Sequence, residues 1–237
     1  MADFLLVHGS CHGAWCWDDL IPHLRALGHT ARAIDLPTHG ADQTPIHDAT
    51  LDGCADAVLS ALTGPTILVG HSWGGFPITA AAERDNSLMS RLVYLCAYVP
   101  RDGMSLITMR DLWPHQPLAR AARKSADGLS YTVPKSAAMA CFYQDCAPDA
   151  AARAVTNLCP QAIVPQATPL AVTSASAALP RSYIRCTRDG TIMPDFQSEM
   201  ARDFAPSDIH QFDSGHSPFL AKPADLATLL NQIAKAT

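Results

Sequence analysis

One short segment has the residue types and spacing to make a serine reactive. Gly70-His71-Ser72-Trp73-Gly74 has the form G-x-S-x-G. It follows an apolar run at 66–69 that reads as a strand, and it precedes helical spacing over 76–83. That is the setting of a nucleophile elbow, a strand-to-helix turn so sharp that the residues beside the nucleophile must be small. Such a turn lifts Ser72 Oγ above a sheet at the start of a helix, where developing negative charge is favoured. A serine hydroxyl is a weak nucleophile and needs a base, and the base needs an acid to orient it. Position selects His216 from the 10 histidines, since it falls between the last predicted strand and the last helix. With an elbow of this kind the chain order is serine, acid, histidine. Asp189, in Thr187-Arg188-Asp189-Gly190, and Asp102, in Pro100-Arg101-Asp102-Gly103, both follow predicted strands, and both also suit a plain Asp-Gly turn. Asp195 is accounted for as the start of a helix, and Asp213 lies very close to His216. Acyl transfer further requires two backbone N–H groups aimed at the oxygen that becomes negative. The N–H of Trp73, directly after the serine, and that of Ser10, in the loop His8-Gly9-Ser10 after the first strand, are the candidates for this oxyanion hole.

These residues must be held by a scaffold, and the apolar pattern predicts one. Strands are expected over 4–7, 31–36, 66–69, 92–99, 181–187 and 209–212, and helices over 15–27, 51–62, 76–83, 195–203 and 223–233. Alternating strands and helices argue for an α/β architecture, a parallel sheet covered by helices, with chemistry at the carboxyl ends of the strands. Residues 101–179 break the rhythm. They are rich in Ala and Pro, hold helical stretches at 135–143 and 148–158, and read as a helical lid inserted between core segments 1–100 and 180–237. Aromatic and methionine side chains such as Trp73, Trp113, Phe142 and Met139 are available to make the pocket apolar, though each equally suits the core.

The chain has 237 residues, which suits one domain; 48% are hydrophobic and 16% charged, and that balance excludes disorder over the whole chain. Lys+Arg number 17 against 22 Asp+Glu, a formal net charge of −5 without any basic run. Nucleic acids and anionic membrane surfaces are therefore excluded as expected partners. No basic stretch precedes an apolar leader, so a cytoplasmic protein is expected. The 8 cysteines show no Cys-x-x-Cys spacing, and several sit in apolar runs such as Leu95-Cys96-Ala97. They read as buried thiols rather than zinc ligands.

Three stretches together carry a resemblance. Val7-His8-Gly9-Ser10-Cys11-His12-Gly13-Ala14-Trp15-Cys16-Trp17, Asp35-Leu36-Pro37 with Gly40, and Val69-Gly70-His71-Ser72-Trp73-Gly74-Gly75 resemble the plant methylesterase and hydroxynitrile lyase branch of the α/β-hydrolase fold, which includes bacterial pyrethroid hydrolases. Tyr183-Ile184-Arg185-Cys186-Thr187-Arg188-Asp189 and Gly215-His216 are similar to later stretches of the same branch. The resemblance implies a mainly parallel six-stranded sheet with helices on both faces. It implies Ser72, Asp189 and His216 as the triad and the Ser10 and Trp73 amides as the oxyanion hole. Lyases of the branch tend to carry Thr where Gly9 stands, an acidic residue where His71 stands, and Lys where Ser217 stands. The expected activity is therefore serine carboxylesterase hydrolysis of a small to medium hydrophobic ester through an acyl-enzyme, with no metal or cofactor. Lactone cleavage, a lyase activity and a slow-turnover ligand receptor are the alternatives. A homodimer through the lid would suit the branch.

Overall fold

Short Val-, Ile- and Leu-rich runs fold as strands that are buried on both faces. A computed structural model describes residues 1–236. In chain order the first half contains β1 (Asp3–Val7), α1 (Ile21–Ala26), β2 (Thr30–Ile34), α2 (Leu51–Ser60), β3 (Thr66–His71), α3 (Gly75–Arg84) and β4 (Met89–Leu95). A long intervening segment follows, with α4 (Leu106–Arg110), α5 (Pro117–Ala121), β5 (Arg123–Lys124), β6 (Ser130–Thr132), α6 (Lys135–Cys141), α7 (Pro148–Asn157), β7 (Gln161–Ala162), α8 (Ile163–Ala167) and α9 (Ser174–Ala177). The chain then returns through β8 (Arg181–Cys186), α10 (Pro194–Met200), β9 (Ile209–Phe212), α11 (Pro218–Ala221) and α12 (Pro223–Lys235).

The main sheet has six strands in the order β2-β1-β3-β4-β8-β9, and every pairing is parallel. Alternation along each strand sorts the core into two layers. Phe4 and Leu6 join Leu24 of α1 and Leu226 and Leu230 of α12 on one face. Leu5 and Val7 join Val58 of α2, Phe76 and Ile78 of α3, and Phe196 of α10 on the other. Each fully buried Leu or Phe contributes about 1.5–3 kcal/mol before ordering entropy is subtracted. The register aligns Val7 with Gly70, Gly70 with Tyr94, Tyr94 with Tyr183, and Tyr183 with Ile209. The loops holding Ser10, Ser72, Asp189 and His216 consequently leave the sheet at one edge.

Two local expectations need correction. The helix expected over 15–27 is two pieces, a 3-10 turn Ala14–Trp17 and α1. Pro22, with no N–H to donate to Asp18, forces the helix to start afresh around itself. The 101–179 segment is not purely helical, because β5, β6 and β7 form a small antiparallel sheet. Strands of two or three residues leave no periodicity to read. This segment is tied to the core by hydrogen bonds. Cys159 N donates to Cys11 O at 3.0 Å, Tyr143 Oη bonds His12 Nε2 at 2.8 Å, and Gly215 N donates to Asp145 Oδ2 at 2.6 Å. All eight cysteines are free thiols. Among the described residues no helix is long and apolar enough to cross a membrane.

Candidate active site

Ser72 begins a 3-10 turn, Ser72–Gly74, that joins β3 directly to α3. Its φ of +53° lies in the left-handed region, where a non-glycine residue costs about 1–3 kcal/mol. The surroundings enforce that strain. A Cβ on Gly70 would lie 2.6 Å from Gly74 O, and one on Gly74 would lie 2.6 Å from Val7 O. A Cβ on Gly9 would come within 2.8 Å of His71 Nδ1 and 2.9 Å of Ser72 Cβ. Gly9 is thus required by close approach, and the loop carrying Ser10 is pressed against the serine. The backbone amides of Ser10 and Trp73 have no hydrogen-bond acceptor among the described residues. For Trp73 this follows from its place in the first turn of a helical run, whose N–H groups have no partner within the helix.

Asp189 is buried in the loop between β8 and α10 and accepts four hydrogen bonds. Oδ1 takes the N–H groups of Thr191 at 2.7 Å and Ile192 at 2.9 Å. Oδ2 takes Gln197 Nε2 at 2.9 Å and His216 Nδ1 at 2.8 Å. A carboxylate can only accept, so Nδ1 of His216 is the donor in this bond, and in the neutral ring that leaves the lone pair on Nε2. His216 is itself almost wholly buried, with Phe142 stacked on it at 5.7 Å. Ser72 Oγ and His216 Nε2 do not hydrogen-bond each other in this conformation; such contacts often tighten only when substrate binds.

The other acids are placed elsewhere. Asp102 is exposed and accepts the N–H of Val172 at 3.0 Å. Asp195 is exposed in the first turn of α10. Asp213 is exposed and paired with Lys222 at 3.0 Å and Arg188 at 2.8 Å.

Three residues near the site had no role assigned from sequence. His71 donates from Nε2 to the backbone oxygen of His216 at 2.8 Å, with the two rings 4.6 Å apart. The variable residue between Gly70 and Ser72 therefore holds the loop of the candidate base. Gln197 bridges Asp189 to Cys186 N, its Oε1 accepting at 2.9 Å. Gln166 of α8 donates to Ser10 Oγ at 2.7 Å and accepts from Tyr131 Oη at 3.1 Å. The bonds they make are tertiary contacts that spacing alone does not reveal, although His71 stands within the G-x-S-x-G segment. The Asp35-to-Gly40 stretch is structural, with Asp35 accepting the amides of Ala14 at 2.6 Å and Ala41 at 3.0 Å. His71, Cys96 and His216 lie close enough to share a metal, their ligand atoms within 4.8 Å of one another. Here one ring nitrogen of each histidine is already engaged, that of His71 by the His216 carbonyl and that of His216 by Asp189.

Ser72 opens into a cavity of about 340 Å³. Its apolar lining is mainly aliphatic, from Leu106, Ile107, Leu118, Ile163 and Ile192. The expected aromatic and methionine side chains do not line it. Trp73 stacks on Phe76, Trp113 stacks on Phe196, Phe142 packs on His216, and Met139 faces outward.

Burial also depresses the affinity of several histidines for protons. His12, whose Nδ1 donates to Ser10 O at 2.7 Å, is pushed down to about 4 from an ordinary value of 6.5, mainly by loss of solvent. His8 and His71 are held well below that value for the same reason. A lowered folded-state pKa means that the unfolded chain binds more protons between these values. The stability from neutral burial is therefore complete above pH 6.5 and is lost as pH falls towards 4. His12→Gln should flatten the fall in unfolding free energy across that window by about 1.4 kcal/mol per pH unit. Urea unfolding at a series of pH values measures this, and an unchanged slope would refute it.

Residues 4–229 match the model of the Alpha/beta hydrolase family, and the chain belongs to that family. Among curated relatives it is 27% identical to methyl jasmonate esterase 1 of Vitis vinifera, over 98% of this chain and 97% of that protein. It is 41% identical to methylesterase 1 of Arabidopsis thaliana over 104 residues, which cover 41% of this chain and 40% of that protein. The fold superposes on a pyrethroid hydrolase from Sphingobium faniae with a TM-score of 0.88 at 23% identity, covering 99% and 98% of the two chains. Polyneuridine aldehyde esterase gives 0.88 at 21% identity, over 99% of each chain. These similarities fit the methylesterase branch expected from the sequence.

Proposed function

We propose that the protein is a serine carboxylesterase in which Ser72, His216 and Asp189 form the triad and the amides of Ser10 and Trp73 the oxyanion hole. That it is a hydrolase of the carboxylesterase type follows from its family and its methylesterase relatives. The observation that carries the finer reading is the buried Asp189–His216 pair at 2.8 Å, beside a serine strained to a φ of +53°. With its proton on Nδ1, His216 presents Nε2 as a base. It removes the proton of Ser72, whose oxygen attacks the ester carbonyl. The two free amides accept the developing oxyanion as donors fixed in advance. His216 then protonates the leaving alcohol, and water repeats the sequence to release the acid. Asp189 holds the imidazole in the required tautomer and stabilises its positive form.

Cyanohydrin cleavage is disfavoured at the positions that separate lyases from esterases. A side chain at position 9 would collide with His71 and Ser72. Ser217 is buried without a partner for its hydroxyl, and Lys222 is drawn away to Asp213. No cation is thus supplied after His216 for departing cyanide.

A 4-nitrophenyl alkylphosphonate, which traps a reactive serine covalently, tests the assignment. One adduct on Ser72 by peptide mass spectrometry is the expected result. An adduct on another serine, or equal labelling of Ser72→Ala, would overturn it.

A further inference from the structure

We infer that the substrate carries a second, anionic group, received by Arg110 and Lys124 on the outer wall of the cavity. This rests on ester hydrolysis at Ser72. Arg110 and Lys124 are the charged residues that line the cavity, and no lining residue is acidic. The chain as a whole carries −5, so this local excess of positive charge runs against its general balance.

Both cations come from the 101–179 segment, Arg110 at the end of α4 and Lys124 in β5. Nε and Nη2 of Arg110 both donate to a single oxygen of Asp111, at 3.2 and 3.0 Å. The Asp111 side chain is 61% exposed, so this pair is weak and readily exchanged. Nη1 of Arg110 and the Lys124 ammonium have no acceptor among the described residues. The charge is also felt inside the cavity. Burial pushes the Tyr98 phenol up; the Arg110 guanidinium partly opposes that rise, while Asp189 and Asp111 add to it more weakly. Tyr98 and Ser72 line the same cavity, and Leu106, Ile107 and Leu118 supply an aliphatic lining to it. A nucleophile, an apolar lining and a pair of cations suit an ester whose acyl chain ends in a carboxylate. A guanidinium matches that group in charge and in planar, forked geometry. The class that fits is the half-ester of an aliphatic dicarboxylic acid.

Two 4-nitrophenyl esters of equal chain length, mono-4-nitrophenyl adipate and 4-nitrophenyl hexanoate, isolate the terminal charge. The wild-type protein should favour the adipate half-ester in kcat/KM by about tenfold at low salt, mainly through KM, the size of a charge-assisted contact. The preference should shrink with added salt. The double variant Arg110→Gln/Lys124→Gln should bring the ratio towards one, and Asp111→Asn, which frees Arg110, should raise it. An equal or reversed preference in the wild type, or an undiminished one in the double variant, would overturn the inference. Calorimetric binding of adipate and hexanoate to Ser72→Ala reads the same question without turnover. Tighter binding of adipate, lost in a triple variant that adds the two glutamines, supports the anion site, and equal binding refutes it. Should Ser72→Ala hydrolyse both esters as fast as wild type, the esterase assignment fails, while the binding comparison still decides this one.

Discussion

Ser72→Ala should lower kcat for 4-nitrophenyl hexanoate by roughly a millionfold, the loss typical when a triad nucleophile is removed, because the remaining groups have no oxygen to activate. The fold should not suffer. Alanine occupies the same strained φ of +53° and takes no hydrogen bond away from the core. Ser72→Gly should be equally inactive yet more stable than Ser72→Ala, since glycine relieves left-handed strain of about 1 kcal/mol or more. In a chain of this size that raises the melting temperature by about 2–4 °C. Ester assays and thermal melts on the pair check both parts. Residual activity above a thousandth of wild type would place the nucleophile elsewhere, and a glycine variant no more stable than the alanine one would deny the strain.

Asp189→Asn should lower kcat by about 10⁴-fold while leaving the side chain nearly the same shape, as expected for a triad acid. The four bonds to Asp189 explain why. Two main-chain N–H groups, from Thr191 and Ile192, claim one oxygen and will keep the amide carbonyl of an asparagine there. The new NH2 must then face Gln197 Nε2, itself a donor, and His216 Nδ1. His216 can accept that proton only by moving its own to Nε2, which removes the lone pair needed to activate Ser72. The opposed donors in a buried setting also cost about 1–3 kcal/mol. A lower melting temperature should therefore accompany the lost turnover. Full activity in the variant would mean that Asp189 does not set the tautomer.

Much of this site is legible in the sequence because steric demand is local. The small residues around Ser72 are needed within a few positions of it, and their spacing records that need. Choosing the acid is different. Asp102 and Asp189 stand in near-identical Asp-Gly turns after strands, and nothing local separates them. What separates them is that β8 pairs with β9, whose following loop carries His216, whereas Asp102 turns outward to Val172. The six strands were readable from short apolar runs, and Pro22 marks where the first predicted helix breaks. The lining of the cavity was not readable. It depends on which faces of α4, α5 and α8 turn inward, and helices of five residues carry too little pattern to say.

Asp145 links the intervening segment to the histidine loop through Gly215 N. A side chain on Gly215 would meet Asp145 and Gln144. The support for the proposed general base is therefore shared between two parts of the chain that differ greatly in sequence character. Exchanging residues 101–179 for the matching stretch of a relative is then no simple graft. A donor stretch without an acceptor at that point would leave the imidazole poorly seated, however well its own pocket were shaped.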